Sequence, residues 1–447
     1  MLGVTKTNLE CMLKLASQRL YGGLIIDSTW EEGMNAIPVL REQLDDVRAG
    51  SLNVVHPDGT TTHYGNREPG PTIIFRSGNI LDLLSDDPLM SFGEAYMDGQ
   101  VDVEGDLADL VSFAIRNGIA SPKEAAQGFA RAIRRAASAG IRSFKQQKRD
   151  IAHHYDVGND FFRLWLDESL TYSCAYFRTP TDTLEQAQNQ KIEHSLHKLR
   201  LRANETLLDI GCGWGALVMQ AAKKFGSRAL GITLSEQQYA AARAAIETGG
   251  LQGKAEVRLQ NYEALAQERT QFDKIVSIGM AEHVGKAHLA EFIHSLETLL
   301  KPGGFALLHL ITGVKEGPIN GWTEKYIFPG GYIPTLAEII NHVSERDLRV
   351  WDVENLGPHY QLTLDHWSDR FERCVPLIRK QFDDRFVRMW RLYLRASSAS
   401  FREGTIEVHQ ILLSRGQPRN LSLTREDLYS HSDIPGVKRF SGAAQSI

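Results

Sequence analysis

Residues 207–217 read LLDIGCGWGAL. An apolar run ends at Ile210, and glycines follow at 211, 213 and 215. The pattern predicts a buried strand, a tight loop and a helix that opens near Trp214. Glycines at such a loop let backbone approach a ligand without a Cβ clash, and the helix start offers free N–H groups. Gly211, Gly213 and Ala216 also fit G-x-G-x-x-A, a dinucleotide fingerprint that expects an acid at the end of the second strand to hold a ribose. Here Thr233 and Leu234 occupy that place in GITLSEQQ (231–238), and Asp209 precedes the loop instead. Spacing alone leaves a nucleotide-type cofactor and a merely structural turn both open.

Around this loop the chain alternates strand and helix. SRALGITL (227–234), AEVRLQ (255–260), FDKIVSIG (272–279) and GFALLHLIT (304–312) read as strands, and SEQQYAAARAAIETGG (235–250) as a helix ended by glycine. Another helix runs through KAHLAEFIHSLETLLKPGG (286–304), and two more span about 362–402. TIEVHQILLSR (405–415) closes the sheet. This alternation predicts an α/β fold with a mostly parallel, Rossmann-like sheet and helices on both faces. Residues 151–415 form this domain, with an insertion at 312–345 and a polar tail at 416–447.

The front of the chain differs. Residues 1–120 predict a small α+β domain: SLNVVHPDGTTTHYG (51–65) alternates around a Pro-Asp-Gly turn, TIIFRS (72–77) is a strand, and NILDLLSDD (79–87) and DLADLVSFAIRNG (106–118) have helical spacing. Residues 121–150 predict a basic linker helix. Lys123, Arg131, Arg134, Arg135, Arg142, Lys145, Lys148 and Arg149 face only Glu124 and Asp150. Such a helix can lie on anionic lipid, each cation contributing about 1 kcal/mol near the surface, or simply join two domains in solvent.

The whole chain carries a net charge of −5, which does not suggest a nucleic-acid binder. Its cysteines, Cys11, Cys174, Cys212 and Cys374, form no CxxC pair, so neither a zinc site nor a disulfide framework is expected and a reducing cytosol is the default. The N-terminus lacks the apolar run of a signal peptide, and no window holds 18 apolar residues.

The loop wording resembles the first motif of class I S-adenosylmethionine-dependent methyltransferases. HHYDVGNDFFRLWLDESLTYSCAYF (153–177), LDIGCGWGAL (208–217), GITLSEQQ (231–238), GMAEHVG (279–285), LLHLIT (307–312) and KYIFPGGYIP (325–334) follow in one order. Together they resemble the cyclopropane-fatty-acid synthase and mycolic-acid methyltransferase family. SFGEAYMDGQVDVEGDLADL (91–110) resembles the front domain of the bacterial cyclopropane synthases.

The resemblance implies methyl transfer from S-adenosylmethionine to a cis double bond of an unsaturated phospholipid acyl chain, at an anionic membrane surface reached from the cytoplasm. An alkene is a weak nucleophile, so the methyl must be held close and in line. Attack leaves a carbocation, which water would trap. A base must then remove a proton so that the ring closes. A thiolate facing that cation would be alkylated, which argues against Cys174 as a nucleophile. The family instead implies a bicarbonate ion as base, held by Cys174, Glu282, His309, Ile311 and Tyr360, with backbone N–H groups at Cys174 and Ile311 as further donors. For the cofactor it points to Tyr172, Ser173, Gly211, Gly213, Thr233, Leu234, Gln238, Asn261, Tyr262 and Gly279. Asn261 stands where relatives carry Asp, and Ala281 where they tend to carry Phe. Trp322, Tyr326, Phe328 and Tyr332 in the insertion would line an acyl tunnel and stabilise a cation by their faces, or would simply be core.

Other readings stay open on sequence alone. The cation could resolve to a methyl- or methylene-branched chain. A non-catalytic lipid-binding protein would need no intact cradle, and NAD-linked oxidation lacks its ribose acid. A metal site is not expected, since the histidines show no HxxxH or HxH pair and adjacent His153 and His154 point apart. A homodimer is compatible with the sequence but not required by it.

Overall fold

The computed structural model describes residues 47–66, 69–77, 88–119, 158–317, 319–418 and 423–426. The basic stretch at 121–150, the segment NILDLLSDD, His153 and His154 lie outside the described residues, as does most of the tail.

The N-terminal unit is a four-stranded sheet in the order β2-β1-β3-β4, built from β1 (Ser51–Val55), β2 (Thr61–Gly65), β3 (Thr72–Phe75) and β4 (Val101–Glu104). The Pro-Asp-Gly turn joins β1 and β2 as an antiparallel hairpin, with Val55 opposite Thr61. Gly59 sits at φ +84°, a conformation that costs a glycine little. Two helices accompany the sheet, Pro88–Met97 and Leu107–Arg116; Asp106 caps the second by accepting from the Ala108 N–H.

The main sheet has seven strands in the order β10-β11-β9-β8-β5-β6-β7. They are β5 (Thr206–Ile210), β6 (Arg228–Thr233), β7 (Ala255–Leu259), β8 (Phe272–Ile278), β9 (Leu300–Gly313), β10 (Leu348–Asn355) and β11 (Ile406–Arg415). β5 through β9 pair in parallel, whereas β11 pairs antiparallel with both β9 and the edge strand β10. β5 lies between β6 and β8, so the strand order reverses there and opens a crevice at the carboxyl ends. Side chains alternate across the sheet with the period of two that strands impose. Leu207, Val276, Leu307 and Leu412 pack with the helices Leu184–Lys198, Ala216–Phe225 and Glu236–Thr248. Their neighbours Leu208, Ile275, Leu308 and Leu413 pack on the other face, with the helix Leu289–Leu299.

Two sequence expectations need correction. The helix after the glycine loop starts at Ala216, not near Trp214, because Gly213 and Gly215 both take positive φ and keep the loop open two residues longer. β10 gave no strand signal: a bulge between Val350 and Asp352 breaks its alternation, and its outer positions are exposed.

A third core is strongly aromatic. Phe161, Phe162, Trp165, Trp367, Phe371 and Trp390 are all buried where the helices Asn159–Trp165, Gly357–Ile378 and Asp384–Arg402 meet. Each such ring buries on the order of 150–250 Å², so truncating one to alanine costs about 3–5 kcal/mol.

The last of these helices also carries the N-terminal unit. Arg388, Arg395 and Arg402 recur every seven residues, two helical turns, and so share one face. Arg388 reaches the carbonyl of Val101 at 2.6 Å and lies over the Tyr96 ring. Arg395 pairs with both carboxylate oxygens of Asp106, and Arg402 donates to the Ala108 carbonyl at 2.8 Å.

Candidate active site

The crevice beside β5 is a cleft open to solvent, with about 1130 Å³ of space between its walls and mouth. Gly211 and Cys212 both donate their N–H groups to the Ile232 carbonyl at 3.0 Å, which folds the loop back over β6. Gly211 has φ +84°, and a Cβ there would stand 2.9 Å from Met280 Cγ. Thr233, Ser235 and Gln238 form a knot at the next strand end: Ser235 caps the 236–248 helix, and the Thr233 hydroxyl donates to Gln238 Oε1 at 2.9 Å.

The structure gathers the expected cofactor residues Tyr172, Ser173, Gly211, Gly213, Thr233, Leu234, Gln238, Tyr262 and Gly279 around this one cleft. Asn261 does not line it. Its Oδ1 is taken by the Glu263 N–H at 2.9 Å as a helix cap, and the neighbouring Gln260 faces the cleft instead. The cleft also holds residues that the sequence did not flag, above all Lys191.

Behind the cleft lining, to which none of Cys174, Glu282, His309, Ile311 and Tyr360 belongs, the ends of β8 and β9 bring together a second group. β9 outruns β8, whose last partner is Ile278 opposite His309. The Ile311 N–H thus has no strand partner on that side, and Glu282 Oε1 accepts it at 2.7 Å. This corrects one expectation, since the Ile311 N–H serves Glu282 rather than an anion. Glu282 is held in turn by its own carbonyl, which accepts the Tyr332 N–H at 2.9 Å. His309 lies two residues back on the same face of β9. Gln410 Nε2 lies 3.1 Å from its Nδ1, and an amide N–H donated there goes with the ring proton on Nε2. Cys174 gives its thiol to the carbonyls of Ala175 (3.2 Å) and Leu356 (3.9 Å). Leu356 also receives the Tyr360 N–H, and its own N–H goes to Val408, which pairs with Ile311. Cys174, Glu282, His309, Ile311 and Tyr360 are so linked into one region through β9, β11 and the start of the 357–378 helix.

Burial sets the charge states here. It pushes the Glu282 carboxyl up to about 7, against the pull of the Ile311 N–H. It holds His309 well below the ordinary imidazole value, with Lys191 adding to the effect, and it pushes the Cys174 thiol up. Cys174 is thus a neutral thiol, inert as a nucleophile. Two buried polar atoms in this group have no partner, Glu282 Oε2 and His309 Nε2. Buried polar atoms are nearly always satisfied, and an N–H donor and a carboxylate oxygen left open in one region fit a small oxyanion that bears one proton. Bicarbonate has that donor–acceptor set. Among the described residues no cluster of three His, Cys, Asp or Glu side chains could hold a metal ion.

The insertion aromatics divide. Phe328 sits edge-on between His283, a cleft residue, and Tyr393, at 5.8 Å from each. The other three make polar contacts of their own. Trp322 packs against Gly93 and gives its indole N–H to Met97 Sδ at 3.3 Å; Tyr326 donates to Glu94 at 2.6 Å. Both tie the N-terminal unit to the insertion. Tyr332 sends its hydroxyl to Glu338 at 2.6 Å.

Comparison with known proteins identifies the family. Residues 142–411 match the family model of mycolic acid cyclopropane synthetase, and residues 39–123 match a domain of unknown function. The chain is 37% identical over 344 residues to the cyclopropane-fatty-acyl-phospholipid synthase of Escherichia coli K12, covering 75% of this chain and 86% of that protein. It is 35% identical over 372 residues to a probable fatty acid methyltransferase of Pseudomonas putida, covering 81% and 92%. The crystal structure of mycolic acid cyclopropane synthase CmaA1 complexed with SAH and CTAB superposes with a TM-score of 0.56 at 34% identity, covering 60% of this chain and 97% of that one. With more than half of its length matched, the chain belongs to the mycolic acid cyclopropane synthetase family and is an S-adenosylmethionine-dependent methyltransferase.

Proposed function

We propose that this enzyme adds a methylene bridge across the cis double bond of unsaturated phospholipid acyl chains, using bicarbonate as the base. One observation carries the reading: the buried, partnerless pair of Glu282 Oε2 and His309 Nε2. When bound in the cleft, S-adenosylmethionine supplies an electrophilic methyl. An alkene carbon takes that methyl, the sulfur keeps the electron pair, and positive charge develops on the acyl chain. Aromatic faces, among them the half-buried Tyr172 and the buried Tyr393, whose hydroxyls meet at 2.8 Å, can stabilise that charge without being consumed. Burial keeps water and thiolate away from it. Bicarbonate in the cradle would supply the base that takes one proton from the transferred methyl, so that the C–H pair closes the ring. His309 Nε2–H would hold this anion, Glu282 would accept its proton, and the neighbouring Cys174 and Tyr360 would wall it in. Every group needed comes from a single chain.

The proposed site of action is the inner face of an anionic membrane, from the cytoplasm. No described helix is long and apolar enough to cross a bilayer, and the basic stretch at 121–150 supplies charge for contact at its surface. A second reading, methyl- or methylene-branched products, is favoured by the fatty acid methyltransferase relative.

Purified protein with methyl-labelled S-adenosylmethionine, bicarbonate and anionic vesicles of cis-unsaturated phospholipid separates the two. Cyclopropane protons in the NMR spectrum of the extracted chains, lost in Glu282→Gln and in bicarbonate-depleted buffer, are the expected result. Label without ring protons would replace ring formation by branching. Activity indifferent to bicarbonate would remove the anion from the mechanism.

A further inference from the structure

The 184–198 helix buries a polar face. Gln188, Lys191, Ser195 and Lys198 are each no more than 2% exposed, where an amphipathic helix would place apolar side chains. Two of these residues act on the cleft wall. Gln188 Nε2 donates to the carbonyls of Thr171 (3.2 Å) and Ser173 (2.9 Å), and Lys191 Nζ donates to Ser173 Oγ at 2.8 Å. An ammonium has donors only. Ser173 Oγ is therefore an acceptor toward Lys191, and its own proton is free to point elsewhere. Ser173, Lys191 and Asp209 all line the cleft.

Burying a charge without a close counter-charge is costly. Lys191 and Asp209 are both buried, yet no hydrogen bond joins them and neither has a close ion-pair partner among the described residues. Burial pulls Lys191 down to about 8, which Cys174, Asp167 and Asp209 only partly offset, and pushes Asp209 up to about 7, which Lys191 only partly offsets. Both are groups waiting for a charge of opposite sign. The cofactor's amino-acid end carries one carboxylate and one ammonium, while its adenosine end is uncharged. Gln260, Tyr262 and Leu234, at the other strand ends, suit the adenosine.

We infer that Lys191 is a positioning residue for the methyl donor: it sets the Ser173 hydroxyl to donate to the cofactor's α-carboxylate and gives that carboxylate its buried counter-charge. The inference rests on the methyltransferase assignment and on nothing about the acyl substrate or the base.

The test uses calorimetric titration of the full chain with two ligands. S-adenosylhomocysteine has the amino-acid end; 5′-methylthioadenosine keeps the adenosine and thioether but lacks that end. Lys191→Met preserves bulk and removes charge. Affinity for S-adenosylhomocysteine is expected to fall about 10- to 100-fold, the range for a hydrogen bond to a charged group. Affinity for methylthioadenosine stays within about twofold by the same reasoning. Ser173→Ala should cause a similar selective loss, and the double variant should lose little more than either single one. Equal loss for both ligands would make Lys191 a merely structural residue and overturn the inference. Unchanged S-adenosylhomocysteine affinity would overturn it as well. Neither titration involves lipid or bicarbonate, so failure of ring formation leaves this result readable.

Discussion

Glu282 shows what the site demands of single residues. Its ordinary carboxyl value of 4.5 is raised to about 7 by burial. Above pH 4.5 the unfolded chain ionises here while the folded one does not. Stability is therefore complete below about 4.5, falls as pH rises toward 7, and stays low above it. The loss amounts to roughly 3 kcal/mol at 1.36 kcal/mol per pKa unit. Glu282→Gln should thus raise the melting temperature of the ligand-free protein at pH 8, raise it less at pH 5, and abolish methyl transfer. Thermal melts at the two pH values check this; an equal shift at both would mean that the carboxyl is not held neutral. Glu282 and His309 were legible in the sequence through the family resemblance, Glu282 also because it follows the end of a strand, whereas His309 lies within β9. Lys191 and Gln410 were not. A lysine in a helix reads as solvent-facing, and only the fold reveals that its face is covered by the sheet.

At the scale of elements, the glycine loop is the decisive piece. Gly211 combines a left-handed φ with a close approach to Met280. Gly211→Ala would meet both, at about 1–2 kcal/mol for the backbone alone. We expect at least tenfold weaker S-adenosylhomocysteine binding by calorimetry, with the far-ultraviolet circular dichroism unchanged. Binding at wild-type strength would show that the loop tolerates a side chain. Most strands and helices of the sheet announced themselves through periods of two and 3.6. The exceptions have physical causes. β10 is interrupted by a bulge, and the 184–198 helix buries glutamine, lysine and serine, so its apolar stripe is too weak to see. The insertion aromatics looked like tunnel residues because composition cannot tell a pocket wall from an interface. Trp322 and Tyr326 turned out to meet Met97 and Glu94.

For the whole molecule, the question is how the N-terminal unit stays attached. Its contacts concentrate on one arginine face of the 384–402 helix. Arg395 grips Asp106 and also reaches Asp365 at 2.7 Å. Removing one partner from a partly covered charged pair leaves the others short of bonds, at about 1–3 kcal/mol. Arg395→Met should therefore lower hydrogen-exchange protection of the 107–116 amides. Protection of strand β5 should remain, since the main sheet does not depend on that contact. Equal loss in both regions would mean that the two units unfold as one. The same geometry bears on the order in which the protein is made. Asp106 and Arg395 are 289 positions apart, and Ala108 and Arg402 are 294 apart. A ribosome adding about 5–20 residues per second completes the front unit well before its landing surface exists. That unit must wait many seconds, undocked, for a helix made 289 positions later.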